Sequence, residues 1–151
     1  MNDAIITVAT DGSAGSRRAL EWALEEAELQ HCGISLVGVY SAADDETETR
    51  EHDRAVHDIH ATMDDLVAGR VELPTVSWKV VSGEPADVLI RESQHSRLLV
   101  MGSHGVSELR HSALGSVTDM CARMAECPVV VIPPRGRRAA QAEELPLSIR
   151  D

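Results

Sequence analysis

At 151 residues the chain has the length of one domain, enough to bury most of its apolar surface. Its formal net charge of −11, from 25 acidic against 14 basic residues, argues against general DNA or RNA binding and requires any phosphate site to be local. With no Phe, two Trp and one Tyr it lacks an aromatic platform for single-stranded nucleic acid, so the core has to be built from Val, Ile, Leu, Ala and Met.

No window is long and apolar enough to span a membrane. Met1-Asn2-Asp3 runs into a strand-like segment with no charged-then-apolar leader. The three cysteines, Cys32, Cys121 and Cys127, are an odd number without zinc spacing. They read as reduced thiols, and the chain as a cytoplasmic protein.

Ala4 to Ala9 is a continuous apolar run with β-branched residues, as in a strand buried on both faces of a parallel sheet. Thr10-Asp11-Gly12-Ser13 ends it. The helix that follows sets Leu20, Ala23, Leu24 and Ala27 on one face, and Gly33 is expected as its C-cap. Ile34 to Tyr40 is a second buried strand. The acidic run from Ser41 to Arg54 reads as a solvated loop entering a helix. That helix carries the stripe Val56, Ile59, Met63, Leu66 and Val67 and ends at Gly69.

Thr75 to Val81 sets Val76, Trp78 and Val80 in alternation with Thr75, Ser77 and Lys79, as in a half-exposed edge strand that Lys79 helps to blunt. Gly83-Glu84-Pro85-Ala86-Asp87 starts a helix that reaches about His95. Leu98 to Met101 is a short buried strand. Val117, Met120, Cys121 and Met124 recur at helical spacing in a helix from Ser116 to Glu126, and Pro128 to Pro133 is a last, uncharged strand. The alternation of strand and helix predicts an α/β protein, a parallel sheet with helices on both faces. Residues 1–134 form the domain, and 135–151, poor in apolar periodicity, are expected as a mobile tail.

Between the fourth strand and the last helix lie Gly102, Gly105 and Gly115, with Ser116 directly after. Glycine lets the backbone approach a ligand, and the first N–H groups of a helix are electropositive and lack internal partners. Strand, glycine loop and helix N-terminus together can hold a phosphate. The residues alone leave a second reading open, of ordinary turn glycines and a capping serine. No Gly-Lys-Ser/Thr is present, and the spacing does not fit the dinucleotide fingerprint.

Gly102, two residues, Gly105, nine residues, Gly115-Ser116 resembles the nucleotide-binding signature of the universal stress protein family, in its ATP-binding branch. The resemblance runs over roughly residues 3–133. It takes in Asp11-Gly12-Ser13, Ala19-Leu20-Glu21-Trp22-Ala23, Gly83-Glu84-Pro85-Ala86 and Cys127-Pro128-Val129-Val130-Val131-Ile132-Pro133. It implies a Rossmann-like open sheet of five strands in the order 3-2-1-4-5, akin to the adenine nucleotide alpha hydrolases.

In that order the crevice opens between the C-terminal ends of strands 1 and 4, with Asp11 across from Gly102. The resemblance implies ATP as ligand, with Mg²⁺ or Mn²⁺ carried by its phosphates. Val39 would meet adenine through its backbone, Ala9 and Thr10 would line the same pocket, and Met101 its floor. Asp11 would accept from ribose hydroxyls or, alternatively, only cap its turn. Gly102, Ser103, His104, Gly105, Gly115, Ser116 and Val117 match the ribose and phosphate contacts. Where many relatives carry Lys or Arg after the second glycine, this chain has Val106, which removes a charge from the phosphate region.

The last strand is apolar and has no charge to guard it, and such an edge needs cover. A homodimer through Val129 to Ile132 is expected, with the C-terminal tail as the alternative cover. His57 and His60 stand three apart with Asp53 and Asp64 near, but a solvated helix face accounts for them without a metal. The chain reads as a dimeric stress-response sensor that binds adenine nucleotide, with at most slow hydrolysis or self-phosphorylation. A slow ATPase or other nucleotide-dependent enzyme, a scaffold without nucleotide, and cyclic AMP as ligand are the alternatives.

Overall fold

The computed structural model describes residues 4–104 and 114–134. Five parallel strands form one sheet in the order β3-β2-β1-β4-β5: β1 Ile5–Thr10, β2 Gly33–Tyr40, β3 Val76–Ser82, β4 Leu98–Gly102 and β5 Val129–Ile132. Four helices alternate with them: α1 Ala14–Gln30, α2 Asp45–Val67, α3 Pro85–Ser93 and α4 Ser116–Met124. This is the α/β architecture and strand order that the sequence and the family resemblance led us to expect.

Because both faces of the sheet are covered, there are two cores. Ile6, Val8, Leu36 and Val100 meet Leu20, Leu24 and Ile59 of α1 and α2 on one face. Val37, Leu99 and Met101 meet Val88, Leu89 and Cys121 of α3 and α4 on the other. Strand residues of one strand alternate between the two, as a strand with successive side chains on opposite faces must.

The ladders do not all run to the same height. β1 bonds β2 up to the pair Thr10–Gly38, and β4 bonds β5 up to Gly102–Ile132. Between β1 and β4 the pairing stops at Val8–Val100. The central strands therefore part over their last two residues, at the place where the strand order reverses.

Several elements depart from the expectation. The helix claims most of the acidic run, leaving only residues 41–44 ahead of it: α2 starts at Asp45, capped by Asp44, whose carboxylate accepts from the Thr47 amide while the Thr47 hydroxyl accepts from the Asp44 amide. Asp45, Glu46 and Glu48 then lie in the first turn, where the helix dipole favours negative charge. At the end of α1 the left-handed residue is His31, with φ 55°, and Gly33 already belongs to β2.

Lys79 does stand on an edge strand, β3, where it pairs with Glu92 of α3 at 2.7 Å. On the same half-exposed strand Trp78 is 39% exposed and meets the His60 ring edge-on. In α4, Cys121 is buried, but Met120 and Met124 are 47% and 58% exposed, so only part of the predicted stripe is covered. Among the described residues no helix is long and apolar enough to cross a membrane.

Candidate functional site: a crevice between the parted strands

Where β1 and β4 part, the structure has a cavity of about 350 Å³. Of the residues singled out from the sequence, Ala9, Thr10, Asp11, Val39, Met101, Gly102, His104, Gly115, Ser116 and Val117 all line it. Ser103 does not, and Gly105 lies outside the described residues, as do Val106 and the tail at 135–151.

The first wall comes from the end of β1. Thr10 is buried, and its hydroxyl donates to the Ser16 hydroxyl at 3.3 Å. Asp11 is exposed and accepts from the Ser13 amide at 3.0 Å, an Asx turn that fixes the carboxylate at the rim. Gly12 follows at φ 80°, where a side chain would be strained and would also meet the Asp58 carboxyl.

The opposite wall is the end of β4 and the start of α4. The Ser103 amide donates to the Ile132 carbonyl at 3.1 Å, and the Gly115 amide to the Ser103 carbonyl at 2.7 Å. Ser103 thus closes the loop through its backbone, and its hydroxyl is turned to the His104 ring, with Oγ and Nδ1 3.1 Å apart. The Gly115 amide is spent on this closure, so an anion would have to be met by the amides that follow it.

The N-termini of α1 and α4, on opposite walls, differ in how they are capped. At α1 the Ser13 side chain accepts from the Ser16 amide, which satisfies part of the first turn internally. At α4 the cap is Gly115, which has no side chain to do so. Ser116 and Val117 therefore present a helix start without a side-chain cap to the cavity, with the positive end of the dipole behind it.

Sequence reasoning missed Ser13, Ser16, Val37, Pro85, Leu89 and Thr118, which also line the cavity. Pro85 and Leu89 sit on α3, and Leu89 shares a core cluster with Val37 and Val39 of β2, which makes that part of the lining apolar. Their places follow from tertiary packing, and no local motif announces them. Among the described lining residues Asp11 and His104 are the ionisable ones, and there is no Lys or Arg. Among the described residues no group of three or more His, Cys, Asp or Glu side chains is placed to hold a metal ion.

The cavity has an apolar end, a carboxylate rim and a helix start facing it. Such a division suits a ligand with a flat apolar part, hydroxyls and an anionic tail. Comparison with known proteins gives the family. The Universal stress protein family matches residues 4–133. A universal stress protein of Mycobacterium tuberculosis strain H37Rv is 31% identical over 132 residues, covering 83% of this chain and 44% of that protein. Another from the same strain is 30% identical over 145 residues, covering 93% of this chain and 52% of its own length. This chain spans about half the length of these curated relatives.

Among solved structures, the universal stress protein UspA from Lactobacillus plantarum superposes with a TM-score of 0.76 at 19% identity, covering 87% of this chain and 99% of that one. A universal stress protein in complex with cAMP gives 0.66 at 23% identity, with coverages of 87% and 98%. A family protein from Arabidopsis thaliana with AMP bound gives 0.52 at 22% identity, with coverages of 88% and 93%. At these identities the solved structures speak to the fold, and the family match spans the sheet and both walls of the crevice. The chain belongs to the universal stress protein family.

Proposed function

We propose that this protein binds an adenine nucleotide in the crevice, as a dimeric, cytoplasmic sensor or regulator in a stress response. The observation that carries the reading is the meeting of Asp11, the Val39 segment and the start of α4 around one cavity. Adenine lies between Val39 and the α3 residues Pro85 and Leu89. The Asp11 carboxylate accepts from ribose hydroxyls, and the phosphates face the amides of Ser116 and Val117. ATP is the ligand of the branch that the glycine spacing resembles, and Mg²⁺ or Mn²⁺ then rides on its phosphates. Support comes from related folds solved with cAMP and with AMP.

Binding is favoured over efficient catalysis by the chemistry of the wall. Phosphoryl transfer needs charge stabilisation and an oriented nucleophile. The described lining offers Asp11 and His104 but no Lys or Arg, and Lys79 is on the far edge, paired with Glu92. Hydrolysis is at most slow. The lack of Lys and Arg among the described lining residues also favours a second reading, in which the ligand is AMP or cyclic AMP, with less charge to neutralise.

Among the described residues β5 pairs with β4 alone, and its four residues are all aliphatic. We assign the homodimer to this edge, pairing about a two-fold axis. The test of the nucleotide reading is direct. Protein purified from cells is denatured and any released nucleotide identified by mass spectrometry; calorimetry with ATP, AMP and cyclic AMP follows. Folded protein that gives no heat with any of the three at millimolar concentration defeats the proposal.

A further inference from the structure

The peptide groups at the end of β4 alternate in direction. The Leu99 amide donates to Pro128 at 3.0 Å and the Ser103 amide to Ile132 at 3.1 Å, both toward β5. The Gly102 carbonyl lies between these positions and so turns the other way, toward β1. There the ladder has already stopped at Val8–Val100, and no strand is in register to bond it. It would present a carbonyl oxygen, with its partial negative charge, to the cavity wall where an anion is to be held.

Thr118 meets this oxygen. Its side chain, on a residue 3% exposed, donates from Oγ1 to the Gly102 carbonyl at 2.9 Å. The hydroxyl has one proton, and it is used here, so Thr118 is no donor to a phosphate. The same bond ties the first turn of α4 to the end of β4.

Resting on the nucleotide reading above, we infer that Thr118 is a positioning residue that makes the crevice selective for phosphorylated ligands, by engaging the Gly102 carbonyl and fixing the α4 amides. The sugar and base are held by other elements, so loss of the donor weakens a nucleotide more than its nucleoside.

The experiment compares adenosine and AMP by calorimetry on wild type, Thr118→Val and Thr118→Ser, with circular dichroism to establish folding. Thr118→Val keeps the volume and loses the donor. We expect about a tenfold loss for AMP with adenosine nearly unchanged, as for one buried polar group left unpaired. Thr118→Ser keeps the donor and retains AMP affinity. Should the valine variant fail to fold, Thr118→Ala carries the same comparison. The inference is overturned if AMP binds the donor-less variant as it binds wild type, if adenosine and AMP weaken equally, or if the serine variant loses as much as the valine one. Wild type that binds neither ligand overturns the nucleotide reading itself, and this inference with it.

Discussion

Gly102 and Gly15 meet backbone to backbone: a Cβ on Gly102 would lie 2.9 Å from the Gly15 carbonyl carbon. The contact lets the first turn of α1 sit against the end of β4. Neither side can yield by rotating a side chain, because both partners are main chain. We expect Gly102→Ala to lower stability by about 1–3 kcal/mol, as overpacking does, and to displace Ser103 and His104. Urea unfolding with the slope unchanged measures the first effect, and calorimetry with AMP the second.

Asp11→Asn separates turn from charge. The amide oxygen of asparagine can still accept from the Ser13 amide, so the Asx turn survives. Stability should change by no more than about 0.5 kcal/mol, while affinity for adenosine falls about tenfold, the loss of one charge-assisted hydrogen bond. Unchanged affinity would leave Asp11 as a turn residue only.

The dimer can be tested at one position. Val130 packs with the α1 and α2 core, so a charge there also costs stability. Val131 is the better probe, and Val131→Asp should yield a folded monomer on sizing with light scattering. A variant that still runs as a dimer moves the interface away from β5.

Asp44 gives a pH-dependent prediction. The Thr47 amide first, and then the Thr47 hydroxyl, hold its carboxyl below the ordinary 3.8. The ionised form is thus the one that folding favours. Its contribution is complete above the ordinary value and is lost as pH falls through the lower value of the folded state. Amide exchange in the first turn of α2 should accelerate in that acid range, and in Asp44→Ala it should be fast at neutral pH too. An NMR titration of the carboxyl that reaches its midpoint above 3.8 contradicts the cap.

The cysteines should react in order of accessibility. Burial pushes the Cys121 thiol up to about 11 and raises that of Cys127 as well. Cys121 is fully buried, whereas Cys127 is half-buried. At about pH 8 a maleimide should modify Cys127 first and reach Cys121 only on unfolding, since the thiolate is the reactive form. Mass spectrometry of a labelling time course reads this out, and early modification of Cys121 would contradict its burial.

The sheet was legible because its strands are apolar runs, such as Ile5 to Thr10, separated by helical stripes. The start of α2 was not. An acidic segment is compatible with a loop or with a solvated helix, and the decision rests on Asp44 and Thr47 bonding each other, a cap whose two residues suit turns equally well. His31 was hidden because a glycine stood two residues on, while the turn closed earlier with the Cys32 amide on the Ala27 carbonyl at 2.9 Å.

Glycine spacing located the wall made by β4 and α4, because that wall is nearly continuous in sequence. Pro85 and Leu89 reach the crevice through the packing of α3, and Ser13 and Ser16 through that of α1. Such approaches depend on contacts distant along the chain, which spacing does not encode. Met120 and Met124 follow the helical period correctly, but periodicity does not say whether anything lies over them.

The separation of β1 from β4 beyond Val8 and Val100 leaves a seam in an otherwise continuous sheet. On one side stand three strands, on the other two. A molecule lodged in that seam touches both parts and acts as a splint, replacing the missing rungs with its own contacts. The proposed nucleotide, once there, would brace Thr10 on one side of the seam against Gly102 on the other.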